Sequence, residues 1–279
     1  MQPLPNGAET ALATAIAKQG STGFVAALLA FLARALAFDN ILILAYAKTA
    51  RPQVLFRQSA NPLVFAEIDA TYLAGAYLLD PFHDLHLSQA PAGLYRLRDI
   101  APDQFARSRY FQDYYQRSTL LDELTFIAYP TQGLTLNLCA GRDASSQVPF
   151  SAREAAIASR IAPIVTALMA RHWSGDALSS PGPAADPAAD PAAGPDAGPD
   201  ATAHLIRAAR ARHGIALSRR QAEVALLILR GHSSPSIGLR LGLSAQTIKV
   251  YRRQLYARCG RSSQAELFAM MLPLLNAQG

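Results

Sequence analysis

The sequence predicts an α+β N-terminal domain, an antiparallel sheet with flanking helices, followed by an all-α four-helix C-terminal domain. Three observations carry this. Leu124, Phe126 and Ala128, and then Leu134, Leu136 and Leu138, alternate as half-buried strands do. From Ser174 to Thr202 the chain has no aromatic residue and repeats Ala-Ala-Asp-Pro and Gly-Pro-Asp units. After that stretch the apolar spacing becomes helical, and glycines stand where helices must stop. The division expected is residues 1–173, a linker over 174–202, and residues 203–279.

In the first region, helices are expected over residues 9–18 and 21–37. Ile41–Ala47 and Gln53–Arg57 read as strands joined across Lys48–Pro52. Residues 63–79 read as an amphipathic helix and Gly93–Ile100 as a further strand. A helix carrying Tyr110, Phe111, Tyr114 and Tyr115 precedes the hairpin, whose turn falls at Pro130–Gly133. Ser151 with Glu154 forms a capping box, opening a helix that runs to Trp173 with a break or kink at Pro163. The linker prolines forbid a helix and little in it can be buried, so it is expected to be an extended spacer.

Composition narrows the setting. The apolar run from Phe24 to Phe38 is interrupted by Arg34 and ended by Asp39 and Asn40 before about 18 residues accumulate, which reads as a buried helix and not a membrane span. It lies too deep for a signal peptide and has no basic segment ahead of it. Cys139 and Cys259 fall in different predicted domains, so a reducing cytoplasm without a structural disulfide is expected. Residues 203–279 hold eleven Arg and one Lys against Glu223 and Glu266, a net charge of +10, which leaves −4 for the rest of a +6 chain. A basic tail on a mildly acidic body fits a nucleic-acid module attached to something else.

The tail's punctuation places its helices. Ser218 and Gln221 form a second capping box, and Gly231 ends the helix that carries Val224, Leu227 and Ile228. Ser234 opens a short helix with Pro235 in its first position and with Ile237 and Leu241 on its buried face. Gly242-Leu243 turns, and Ser244 caps a third helix whose Ile248, Tyr251, Leu255 and Cys259 face inward. That leaves Lys249, Val250, Arg252 and Arg253 outward until Gly260 stops the helix. A fourth helix, from Gln264 to Leu274, is apolar along Leu267, Met270, Met271 and Leu274. Short capped helices ending in one long helix with a cationic side suit a helix-turn-helix that seats its second member in the DNA major groove.

These residues, from Leu217 through Arg253 and on to the fourth helix, resemble the LuxR-type (GerE-like) DNA-binding domain of bacterial transcription regulators. The resemblance implies base-edge contacts from Lys249, Val250 and Arg253. It implies phosphate or supporting contacts from Ser244, Thr247, Arg252 and, at the start of the second helix, Ser234. The chain departs from the family pattern at Ser234–Gly238, where Asn-Lys-Glu-Ile-Ala is usual, at Tyr251 for His and at Cys259 for Leu. Sigma-factor region 4 has a similar rhythm but normally follows a domain rich in exposed aromatic and basic residues, which this body is not. The N-terminal body resembles GAF- or PAS-like sensor domains, with Asp80-Pro81-Phe82 and Asp122-Glu123 as the familiar segments. A phosphoacceptor receiver fits less well, because Lys precedes the linker only at Lys18 and Lys48. An acyl-homoserine-lactone sensor also fits less well, because no Trp precedes Trp173.

The resemblance implies double-stranded DNA as partner, a homodimer, a small-molecule effector and a contact with RNA polymerase, with no membrane partner and no cofactor. Candidate effector contacts are Asp80, Tyr95, Tyr110 and Tyr114, although aromatics at helical spacing also suit ordinary core or a dimer face. His83 and His86, three apart without a third partner, read as polar residues and not as metal ligands. Asp122 and Glu123 are neighbours at a strand start and point to opposite faces, which weakens them as an acid–base pair. No catalytic residue is expected. An enzyme or a protein-interaction adaptor centred on the N-terminal body is the alternative.

Overall fold

The computed structural model describes residues 6–47, 50–174 and 201–275. In chain order the first elements are α1 (Ala8–Ala17), α2 (Phe24–Ala35), β1 (Asn40–Ala47), β2 (Gln53–Ser59), α3 (Pro81–Leu87), β3 (Gly93–Arg96) and α4 (Leu97–Ile100). They are followed by β4 (Leu120–Ala128), β5 (Leu134–Asp143), α5 (Ala152–His172), α6 (Ala201–His213), α7 (Arg219–Arg230), α8 (Ser234–Leu241), α9 (Ala245–Cys259) and α10 (Gln264–Leu275). The chain packs as two compact units. Described residues of the first lie within Met1–Pro62, Gln89–Asp99 and Leu120–Asp196, and those of the second within Leu63–Ser88, Ile100–Thr119 and Ala197–Gly279. The predicted linker lies outside the described residues except at its ends, where Ala201 and Thr202 already belong to α6. Among the described residues no helix is long and apolar enough to cross a membrane.

The first unit is built on a five-stranded antiparallel sheet in the order β2-β1-β5-β4-β3. The hairpin alternation sets its register: Leu124 pairs with Ala140, Phe126 with Leu138 and Ala128 with Leu136, so all six side chains share one face. Ile41, Ile43 and Ala45 of β1 continue that face, which packs on Phe24, Leu28 and Phe31 of α2 and Ile161, Val165 and Met169 of α5. Each Leu, Ile or Phe so enclosed contributes about 1.5–3 kcal/mol relative to exposure. Leu44, Tyr46, Thr125, Ile127, Thr135 and Asn137, at the alternate positions, are buried as well. The central strands β1, β5 and β4 are therefore buried on both faces, whereas the edge strand β2 stays partly exposed.

The Ser151–Glu154 capping box is present, and α5 continues unbroken through Pro163. Thr166 donates its hydroxyl to the Ala162 carbonyl at 2.9 Å within that stretch. Trp173 closes the helix by meeting the Phe24 ring edge-on at 5.8 Å. The strand expected over Gly93–Ile100 stops at Arg96, and Leu97–Ile100 coils into a helical turn. Arg96 supplies the reason. Its guanidinium is buried against the Asp122 carboxylate and the Phe150 carbonyl, and Asp122 also accepts the Phe150 N–H at 3.1 Å. Glu123 accepts from the Thr125 hydroxyl, so the two carboxylates are held apart by separate partners.

In the second unit the amphipathic helix expected over 63–79 is absent. The chain instead makes a 3-10 turn at Pro62–Phe65, a π turn at Ile68–Tyr72 and another 3-10 turn at Ala76–Leu79. Gly75, at φ 155°, breaks the helical path between the last two. The tyrosine-bearing helix is likewise one π turn, Phe111–Tyr115. The last of the three turns, Ala76–Leu79, packs on α7 and α10.

Candidate nucleic-acid interface and effector cluster

The helix-turn-helix forms where its caps place it. The Ser218 hydroxyl accepts the Gln221 N–H while the Gln221 side chain accepts the Ser218 N–H, and Gly231 terminates α7 at φ 97°. For α8 the cap is Ser233 and not Ser234: the Ser233 hydroxyl accepts the Ser236 N–H at 3.3 Å. Ser234 and Pro235 are thus the first two residues of the helix, where the Ser234 N–H has no intrahelical partner in any case and Pro235 has no N–H to satisfy. Ile237 is buried, whereas Leu241 is only half-buried and Leu239 is left 87% exposed. Gly238 is needed at the turn because a Cβ there would lie 2.5 Å from the Leu243 carbonyl oxygen.

Ser244 caps α9, accepting the Thr247 N–H at 3.0 Å, and its hydroxyl lies 2.8 Å from that of Thr247. Ile248, Leu255 and Cys259 are buried as expected, but Tyr251 is half-buried. Lys249 and Arg253 are exposed. Val250 and Arg252 are half-buried, so these two are less outward than the helical spacing suggests. Arg252 leans 3.4 Å from the Tyr256 hydroxyl, one turn along. Arg258 is committed internally, donating to the Ala216 carbonyl at 2.6 Å and to Gln221 at 3.2 Å. The free positive edge of α9 is therefore centred on Lys249 and Arg253.

Three of the four candidate effector residues come together in the second unit. Tyr110 and Tyr114 stack at 5.4 Å, and Tyr114 stacks on Tyr72 at 5.5 Å. The Tyr72 hydroxyl donates to Asp80 at 2.7 Å, and the Phe82 N–H at the start of α3 donates to the other carboxylate oxygen at 2.8 Å. Burial of the carboxyl outweighs these donors and, with Asp84 nearby, pushes the Asp80 pKa up to about 6. Tyr95 belongs to β3 of the first unit, where its hydroxyl donates to the Pro91 carbonyl. The sequence reading missed Tyr72, eight residues before Asp80, because an expected continuous helix hid the turn that joins them.

Further groups gather beside this cluster. His83 and His86 lie with ring centroids 5.9 Å apart, and burial, then Arg230, keeps His83 well below its ordinary pKa. Among the described residues no group of three or more His, Cys, Asp or Glu side chains could hold a metal ion. Arg230 forms an ion pair with Asp84 at 2.6 Å and donates to the Leu78 carbonyl at 3.0 Å. A cleft of about 360 Å³ opens beside this pair, lined by Leu79, Pro81, Leu85, Arg230 and Arg240 among others; none of Asp80, Tyr95, Tyr110 and Tyr114 lines it. His232 is buried, and burial together with Arg240 and Arg230 lowers its pKa to about 4.

Comparison with known proteins adds four findings. Residues 216–271, from the approach to α7 into α10, match the family model of bacterial regulatory proteins of the luxR family (GerE). A protein of Aeromonas salmonicida assigned as an HTH-type transcriptional regulator, in the exeN 3' region, is 30% identical over 193 residues, 69% of this chain and 93% of that one. The VqsR LBD domain of Pseudomonas aeruginosa is 24% identical and superposes with a TM-score of 0.51, over 61% of this chain and 99% of that one, a likeness of fold. Escherichia coli SdiA, 15% identical, has a TM-score of 0.42 over 96% of this chain and 97% of its own.

Proposed function

The chain belongs to the LuxR-type helix-turn-helix transcriptional regulators, and from that premise we propose that α9 is the helix that reads DNA sequence. The observation that carries this is the exposed cationic edge of α9, with Lys249 and Arg253 set opposite the buried Ile248, Leu255 and Cys259. Lys249, Val250 and Arg253 meet base edges. Ser244, Thr247, Arg252 and Ser234 meet or support phosphates. The partner is double-stranded DNA, bound as a homodimer across two half-sites in the cytoplasm, with RNA polymerase as the next contact.

Residues 1–173 act as a GAF/PAS-like sensory or dimerisation region, the 174–202 segment as the linker and 203–279 as the DNA-binding region. A small effector is sensed at Asp80 and the Tyr72–Tyr114–Tyr110 stack. A buried carboxylate raised to about pKa 6 gains from any ligand that brings it a donor, and the stacked, buried rings give it apolar surroundings. No catalytic role is assigned, since Asp122 and Glu123 are committed to Arg96 and Thr125.

In vitro selection from a random duplex library by the full chain tests the reading. Enrichment of a sequence with two related half-sites, lost when Lys249 is changed to Ala, is the expected result. Recovery of unselected DNA by both proteins would refute sequence-specific reading by α9.

A further inference from the structure

Two stretches of the front region, residues 78–84 and 100–108, grip the helix-turn-helix at the α7–α8 junction. The Asp103 carboxylate accepts the backbone N–H of Ser233, the capping residue of α8, at 3.0 Å. One residue further on, the Gln104 N–H donates to the Gly231 carbonyl at 3.0 Å. The approach is so close that a Cβ on Gly231 would lie 2.9 Å from the Phe105 Cα. On the other side Asp84 of α3 pairs with Arg230 at 2.6 Å and lies 3.9 Å from Arg240, while the Leu78 carbonyl takes a second donor of Arg230. Although partial burial opposes it, hydrogen bonding to Ser233 holds the Asp103 carboxyl below its ordinary pKa, so it is an anion at neutral pH.

The groups held this way have a common chemistry. In a helix-turn-helix the first helix crosses the DNA backbone while the second enters the groove. The N–H groups at a helix start, together with flanking arginines, are the donors that fix phosphates. Here the donor at the start of α8 faces Asp103, and the arginines at the end of α7 and within α8 face Asp84. We propose that Asp84 and Asp103 are an internal latch, two carboxylates standing where DNA phosphates would sit on α8, so that the backbone must displace them for the chain to seat fully. The latch leaves Lys249 and Arg253 of α9 exposed. It restrains affinity through the phosphate contacts and leaves the base-reading edge unchanged. This inference rests on the DNA-binding reading given above.

The test uses the full chain and a mixed-sequence duplex, with affinity followed by fluorescence anisotropy. Asp84→Asn combined with Asp103→Asn, which keeps side-chain volume while removing both charges, is expected to bind about tenfold tighter or more, since charge-assisted contacts to α8 are weakened. Its log affinity should also fall more steeply with log salt, by about one for each phosphate contact released to the DNA. In the unaltered chain, adding the duplex should speed hydrogen exchange of the Gln104 amide, which the latch protects. That second readout decides the matter if the variant fails to fold. Unchanged variant affinity, or Gln104 exchange that stays slow in the DNA complex, overturns the latch. If neither the parent nor the folded variant retards any duplex, the DNA-binding reading fails, and the latch with it.

Discussion

Asp80→Asn isolates the cost of keeping a carboxylate in the tyrosine cluster. In the folded chain burial raises this carboxyl from 3.8 to about 6, although Tyr72 and Phe82 donate to it. A carboxyl whose folded pKa is raised contributes stability that is full below 3.8 and is lost as pH rises through about 6. The loss at neutral pH is at most about 3 kcal/mol, of which about 1.5 kcal/mol falls between about pH 5 and about pH 7.5. Asparagine resembles the protonated acid and retains an oxygen to accept from Phe82, so the variant should escape that loss. His232 runs the other way in the same window. Its pKa is lowered from 6.5 to about 4, so its contribution is full above 6.5 and is lost as pH falls through about 4. Taking the difference between variant and parent removes that contribution. Urea unfolding followed by far-UV ellipticity at the two pH values measures it: Asp80→Asn should gain over the parent on going to the higher pH. A variant less stable than the parent near pH 7.5, with no pH trend in the difference, would show that Tyr72 and Phe82 hold the anion well. The case for Asp80 as a carboxylate waiting for a ligand's donor would then fail.

Asp122→Ala should destabilise the first unit by about 3–5 kcal/mol, because it leaves the buried Arg96 guanidinium without its counter-charge and the Phe150 N–H without an acceptor. Denaturant unfolding read from Trp173 fluorescence checks this, and a loss below about 1 kcal/mol would mean the pair contributes little. Affinity for DNA should fall by about 10³–10⁵ between about 50 and about 200 mM salt if a dimer makes about 6–10 phosphate contacts. A flat salt response would point back to an adaptor whose basic tail serves another purpose.

The parts of the fold written into short-range sequence were legible. Cap residues sit beside the glycines and hydroxyls that make them, so the boundaries of α5, α7 and α9 could be placed from Ser151, Ser218, Ser244, Gly231 and Gly260. The β4–β5 hairpin was visible because Leu124, Phe126, Leu136 and Leu138 repeat with period two on a face that really is buried. What could not be read depended on distant partners. The end of β3 is set by Arg96 meeting Asp122 and Phe150, and nothing local to Gly93–Ile100 records that. Residues 63–79 keep an apolar pattern, but Gly75 divides the helix that the pattern suggests. α6 is not expected from the sequence because its start, Ala201–Thr202, falls within the Pro- and Ala-rich stretch that reads as an extended spacer. At α8 either of two adjacent serines could cap, and only the Ser236 N–H, aimed at Ser233, separates them. The candidate site was legible on α9, where outward cations follow from helical period. Tyr72 and the Asp84 and Asp103 contacts were not, because they join segments far apart in sequence.

The most direct measurement is the affinity of the full chain for its selected duplex and for a scrambled duplex, compared with the Lys249→Ala and Arg253→Ala proteins. Both side chains are exposed on α9, so circular dichroism of the variants should match the parent. Each substitution should cost about 1–3 kcal/mol on the selected duplex, and the preference over the scrambled one should shrink in step. Folded variants that keep the parent's full affinity and preference would contradict the account, because the reading edge of this regulator would then lie somewhere other than α9.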